Sequence, residues 1–216
     1  MRNFQLIVKR TFDIVVSAMM IVVFTIIPVF IVVPILVKLS SKGPAVFVQE
    51  RMGKDQKVFK IFKFRTMKLP PEGTYSVDGK LYKPNGELLE PSSTRITKIG
   101  AFLRKTSLDE FMQLFNVLNG TMSFVGPRPT LPYQVENYTD EQKRRFDVRP
   151  GVTGWAQVNG RNGLTWTEKI QFDLEYVDNF SLWMDIKILF KTVAVVFKKE
   201  EIEFTKEDSI TDKTQP

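Results

Sequence analysis

The chain has 216 residues, 43% of them hydrophobic, and a formal net charge of +7. It contains no cysteine and no histidine, which excludes disulfides, thiolate chemistry and every Ser-His-Asp arrangement. Any catalysis must rest on carboxylates, Lys, Arg, Tyr or hydroxyls, and the basic balance points to an anionic partner.

Residues 14–37 carry no charge. As a helix this run would reach about 36 Å, against a hydrocarbon core of about 30 Å. It is too long for a signal peptide and lacks a small-residue cleavage site, so a retained membrane segment is expected. Lys9 and Arg10 precede it and Lys38 and Lys42 follow it, so both flanks read as cytoplasmic. Pro28 and Pro34 interrupt it, each freeing the carbonyl four residues back, with Thr25 placed to help at the first break. The residues alone leave two readings level: a kinked span, or a helix broken at Pro28 that returns to the side it entered from.

Residues 45–51 and 57–66, with Gly53 between them, predict a β-hairpin. Broken alternation at Ile61 and Phe62 suggests a bulge, and Lys60, Lys63 and Arg65 make the second strand unusually basic. Residues 69–93 read as a loop insertion with turns at Asp78-Gly79 and Asn85-Gly86. Leu108, Phe111, Leu114, Phe115 and Leu118 mark one face of a helix. Thr139 with Gln142, and Thr165 with Glu168, form capping-box patterns before two more helices, the second ending near Tyr176. Residues 182–199 predict a last helix, either buried or lying among lipid headgroups with its lysines reaching outward. From residue 200 the chain is a polar tail.

Ser107-Leu108-Asp109-Glu110 opens the Phe111 helix and has two readings. As a capping box, Ser107 caps and Glu110 sits at N3. As chemistry, the helix dipole favours an ionised Asp109, which could be a nucleophile or a magnesium ligand, while Arg104 and Lys105 offset its repulsion for a diphosphate. Gly126-Pro127-Arg128-Pro129 holds an arginine between two prolines, either as a rigid turn or as a stiff anion grip. The glycine-rich run 149–161, with Arg149 and Arg161 at its ends and Trp155 and Asn159 inside, could cradle phosphates or stack a base, or could simply pack. No P-loop and no dinucleotide fingerprint is present.

Taken together, these segments resemble one family, the monotopic phosphoglycosyl transferases or bacterial sugar transferases. The resemblance rests on Lys9-Arg10-Thr11-Phe12-Asp13, the run 59–67, Ser107-Leu108-Asp109-Glu110, the run 124–129 and the loop 150–161. They occur in the family's order and cover the chain apart from the insertion and tail, in the manner of the minimal bacillosamine-phosphate-type members. One departure is Ile27-Pro28 at the break, where relatives often carry Ser-Pro, with Pro34 in addition.

The resemblance implies an α+β, mostly helical chain. A re-entrant membrane helix (1–42, broken at Pro28) would precede a compact cytosolic catalytic domain (43–200) with a small β-hairpin and amphipathic interfacial helices, then the tail (201–216). It implies transfer of a sugar 1-phosphate from a UDP-sugar to polyprenyl phosphate at the bacterial inner membrane, an early step of exopolysaccharide, capsule, O-antigen or glycoprotein glycan synthesis. Asp109 and Glu110 would be catalytic and would hold Mg2+. Arg104, Arg128, Lys63 and Arg65 would bind substrate phosphates, and Arg149, Asn159 and Arg161 would line the nucleotide-sugar loop. Membrane lipid is an expected partner, nucleic acid is not, and a homo-oligomer is left open. The rival from another class is a nonenzymatic membrane-anchored scaffold with a basic cytosolic face, which predicts no dependence on Asp109 or magnesium.

Overall fold

The computed structural model describes residues 2–77, 80–89, 92–160 and 163–197. The chain is mostly helical with small sheets. Two apolar helices come first, α1 (Arg2–Ile26) and α2 (Val29–Ser40), bent by 64° at a break of two residues. Neither is long and apolar enough by itself to cross a membrane. The break falls at Ile27-Pro28, as expected from the missing proline N–H. Thr25 does not cap the freed carbonyl; its hydroxyl donates to Ile21 O at 2.7 Å, back along its own helix. The chain restarts because Ile31 N and Val32 N both donate to Pro28 O.

Strands β1 (Val46–Met52) and β2 (Val58–Phe64) form the expected antiparallel hairpin. The register runs unbroken from Val46↔Phe64 to Met52↔Val58, so there is no bulge. The alternation fails for another reason, namely that β2 is covered on both faces. Ile61 packs with Val117 and Met122, while Phe64 packs with Val33, Val37 and Leu103. Within the insertion, β3 (Tyr75–Val77) pairs with β4 (Lys80–Tyr82). Gly86, at φ +84, makes the second expected turn, and Asp78-Gly79 lies outside the described residues.

Helix α3 (Lys98–Lys105) is capped by Thr97, whose hydroxyl accepts from Gly100 N at 2.9 Å. A 3₁₀ segment (Leu108–Met112) then runs into α4 (Gln113–Asn119), so the expected single helix is split in two. After it come β5 (Ser123–Val125), α5 (Pro132–Val135), α6 (Asp140–Lys143), β6 (Gly151–Thr153), α7 (Trp155–Asn159), α8 (Trp166–Asp178) and α9 (Leu182–Phe197). Both capping boxes form, Thr139 with Gln142 and Thr165 with Glu168. The parallel β5–β6 pair carries no local sequence signal.

The basic run before the apolar segment docks α1 onto the domain. Lys9 Nζ donates to Asp185 Oδ2 at 2.6 Å and to Val125 O at 2.9 Å. Arg10 donates to Leu118 O and to Val117 O, which also accepts from Gly120 N, at the end of α4. Asp13, 1% exposed, accepts from Ser123 Oγ and Phe124 N, both at 3.1 Å. Farther along, α2 buries Val33 and Val37 against β2 and α3. The outer surfaces of both helices stay apolar and exposed, with Ile7, Val15, Val22, Ile26, Ile31 and Leu39 among the uncovered side chains.

Candidate active site

The hairpin, α3, the 3₁₀ segment and the turn after β5 meet at one cluster of charges. Gly100 lets α3 approach residue 66 closely, because a Cβ there would lie 1.9 Å from Thr66 O. Arg104, one turn on, donates from Nε to Thr66 Oγ1 at 2.8 Å. The chain leaves α3 through Ser107, which adopts the left-handed φ of 56°. An N-cap needs an extended backbone, so Ser107 makes no capping bond and the expected capping box does not form. The sharp reversal after Lys105 uses Ser107 to end one helix, not to cap the next.

That reversal sets Asp109 and Glu110 side by side at the start of the helical run. Lys63 Nζ, from β2, donates to Glu110 Oε1 at 2.8 Å, and Arg128 Nη2 lies 3.6 Å from the same oxygen. Burial alone would raise the Glu110 carboxyl, but Lys63 and Arg128, with hydrogen bonds from Lys63 and Gln113, bring it down to about 2. Asp109 goes the other way, pushed up to about 6 by burial and by Glu110, with Lys63 and Arg104 opposing. The helix dipole expected to favour its charge is outweighed. Among the described residues, no side chain is hydrogen-bonded or ion-paired to Asp109. The pair is thus divided into one carboxylate locked by cations and one left open, still ionised at neutral pH.

Five of the expected residues come together: Asp109, Glu110, Lys63, Arg104 and Arg128. Others are placed elsewhere. The Arg65 guanidinium, on a residue 4% exposed, donates to Ser41 O and Lys42 O, where it ties the end of α2 to β2. Arg149 donates from Nε to Gly120 O, and Asn159 joins Trp155 O to Lys191 Nζ. Arg161 lies outside the described residues. The cleft beside the cluster is lined by Arg51, Lys63, Gln113, Arg128 and Gly151. Arg51 and Gln113 are additions. In the β1–β2 register Phe47, opposite Lys63, shares a face with Gln49 and Arg51, so period-two reasoning could have found Arg51 once that register was known.

No group of three acidic residues able to hold a metal occurs among the described residues. Two adjacent carboxylates still suit magnesium, which keeps several waters and takes further ligands from substrate phosphates.

The family model for bacterial sugar transferases matches residues 4–199. The uncharacterized sugar transferase EpsL of Bacillus subtilis is 42% identical over 200 residues, spanning 93% of this chain and 92% of its own. The UDP-glucose:undecaprenyl-phosphate glucose-1-phosphate transferase of Escherichia coli is 42% identical over 193 residues, 86% of this chain and 39% of its own. The undecaprenyl-phosphate galactose phosphotransferase of Salmonella typhimurium is 39% identical over 202 residues, 89% of this chain and 41% of its own. The chain thus spans less than half the length of these last two relatives. It belongs to the bacterial sugar transferase family, an enzyme family.

Proposed function

We propose that this chain transfers a sugar 1-phosphate from a UDP-sugar to a polyprenyl phosphate through a covalent aspartyl intermediate. The carrying observation is the division of labour between Asp109 and Glu110. Glu110 stays ionised because Lys63 and Arg128 hold it. Asp109 keeps an open carboxylate beside two cationic groups, Lys63 and Arg104.

The Asp109 carboxylate attacks the β-phosphorus of the UDP-sugar, and the bond from that phosphorus to the bridging oxygen breaks. UMP leaves with that oxygen and its electron pair, and the phosphosugar remains on Asp109 as an acyl phosphate. An oxygen of the polyprenyl phosphate then attacks the same phosphorus and Asp109 departs as carboxylate. Arg104 and Arg128 neutralise phosphate oxygens during both displacements. Asp109 and a Glu110 oxygen would hold Mg2+ together with diphosphate oxygens, where it supplies further neutralisation of phosphate charge.

The bent helix pair suits this role. We read α1 and α2 as entering one leaflet and returning, with the cluster facing the cytoplasm. Trp183, Ile186, Phe190 and Val193, all exposed on α9, would rest at headgroup depth. The docking of Lys9, Arg10 and Asp13 onto the domain would hold the cluster at the membrane surface, where a polyprenyl phosphate presents its headgroup.

The test is UMP release by the purified protein over a panel of UDP-sugars with undecaprenyl phosphate and magnesium. Acceptor-dependent turnover with at least one hexose or N-acetylhexosamine donor is expected. A folded, membrane-inserted protein that releases no UMP from any donor would refute the reading.

A further inference from the structure

Residues 126–130 join β5 to α5 with neither helix nor ladder of their own. Two of them are prolines and have no N–H to donate. Yet the carbonyls are taken up one after another. Gly151 N donates to Pro127 O at 2.9 Å. Arg145 Nη2 donates to Arg128 O at 3.0 Å, and Arg51 Nη1 to Pro129 O at 3.2 Å. Met52 N donates to Thr130 O at 2.8 Å. Gly126 N meanwhile donates to Thr153 O at 2.9 Å. The segment is a strap whose carbonyls from Pro127 to Thr130 are each held, by donors from β1, from β6 and from Arg145.

Two of these donors are guanidinium groups, and Arg145 is costly to place. Its side chain is 3% exposed and paired with Asp173, itself 3% exposed. Its Nη1 donates to Tyr138 Oη at 2.9 Å. The guanidinium carbon sits 5.8 Å from the Tyr138 ring, 5.7 Å from Phe146 and 5.8 Å from Trp166. A buried ion pair contributes little net stability against apolar side chains of similar size. What apolar side chains could not supply is a second donor on the same rigid fork, aimed at Arg128 O.

We infer that Arg145, oriented by Asp173, and Arg51, from β1, are positioning residues for Arg128. They fix the backbone that carries it, so that its guanidinium stands at Glu110 and the incoming phosphate with little conformational freedom left to lose. This rests on the phosphate-binding role proposed for Arg128. It extends the functional apparatus to α8, an element with no side chain in the charge cluster. Misplacing a contacting group by about 1 Å can cost as much as 100-fold in rate.

The experiment is a double-mutant cycle on kcat/KM for UMP release with the full chain in nanodiscs. Arg145→Lys keeps a charge for Asp173 but loses the fork, and Arg51→Lys does the same at Pro129. Each should lower kcat/KM about tenfold alone, and less than about twofold in an Arg128→Ala background. Equal losses in both backgrounds would overturn the inference. Hydrogen exchange of the peptide spanning residues 126–131 is read in the same variants, with faster exchange there and unchanged exchange in α3 and α8 expected. If Arg128→Ala keeps full kcat/KM, the phosphate role of Arg128 fails, and exchange then decides the strap. Unchanged exchange in both lysine variants would overturn it. Arg51→Lys keeps the test open should Arg145→Lys not fold, because Arg51 lines the open cleft.

Discussion

Replacing Asp109 by Asn should abolish transfer and at the same time stabilise the folded protein at neutral pH. The Asp109 carboxyl is pushed from 3.8 up to about 6, by burial first and then by Glu110, against the pull of Lys63 and Arg104. A rise of about two pH units corresponds to about 3 kcal/mol between the protonated and ionised forms. The side chain is partly exposed, so screening reduces this, and about 1–3 kcal/mol is expected. A carboxyl whose folded value is raised contributes stability that is fully present below its unfolded value of about 3.9 and is lost as pH rises through the folded value. Asn mimics the protonated carboxyl at every pH, so the variant should gain at neutral pH and match the native protein in acid. For a chain of this size, about 1 kcal/mol moves Tm by about 2–4 °C. Thermal unfolding of both proteins in nanodiscs, at neutral pH and below about pH 4, measures the effect directly. A loss of stability at neutral pH would mean that Asp109 serves the fold as a helix-capping carboxylate, and the electrostatic account of the site would be wrong.

Glu110→Gln should behave oppositely. Its carboxyl is held at about 2, so its stabilisation is complete above the unfolded value of 4.5 and is lost as pH falls below 4.5 and through about 2. Removing the charge leaves Lys63 and Arg128 facing each other, and a loss of about 3 kcal/mol is expected in denaturant unfolding at neutral pH; an unchanged midpoint would contradict the ion-pair assignment. Gly151→Ala would place a Cβ 2.1 Å from Gly126 N. It should cost about 3 kcal/mol or more and collapse UMP release with it, so a stable and active variant would show that the β5–β6 contact can yield. For topology, Asn3→Cys and Ser41→Cys introduce single thiols into a cysteine-free chain. In intact spheroplasts an impermeant thiol reagent should reach neither, and labelling of Asn3→Cys alone would establish a span.

Periodicity and proline chemistry were legible over short range. The break at Pro28, the hairpin, the Asn85-Gly86 turn and two capping boxes all depend on residues within a few positions of one another. What failed was either a local rule overridden by chain direction or a partnership across the whole chain. Ser107 has the right residue type for a cap, but the reversal after α3 puts it in the left-handed region. Strand alternation would put Arg65 on the same face as Lys63, but β2 ends at Phe64, and one residue beyond it the guanidinium reaches Ser41 O and Lys42 O just past α2 instead of the cluster. The partners of Lys9, Asp13 and Arg145 lie far along the chain, at Asp185, Ser123 and Asp173. Nothing in the sequence near them announces those contacts. Asp109 and Glu110 were found as a pair, but their opposite electrostatics depend on Lys63, from a strand more than forty residues earlier.

The central claim is covalent attack by Asp109, and trapping the intermediate tests it most directly. Purified protein is mixed with magnesium and a UDP-sugar labelled in the β-phosphate, with no polyprenyl phosphate present, then quenched in acid and read by intact-protein mass and peptide mapping. The account predicts UMP in an amount limited by the enzyme and a matching phosphosugar adduct on the peptide containing Asp109. Undecaprenyl phosphate should discharge that adduct, and Asp109→Asn should form none. Acceptor-dependent turnover in a well-folded Asp109→Asn protein, or native turnover with no UMP released before acceptor is added, would contradict it.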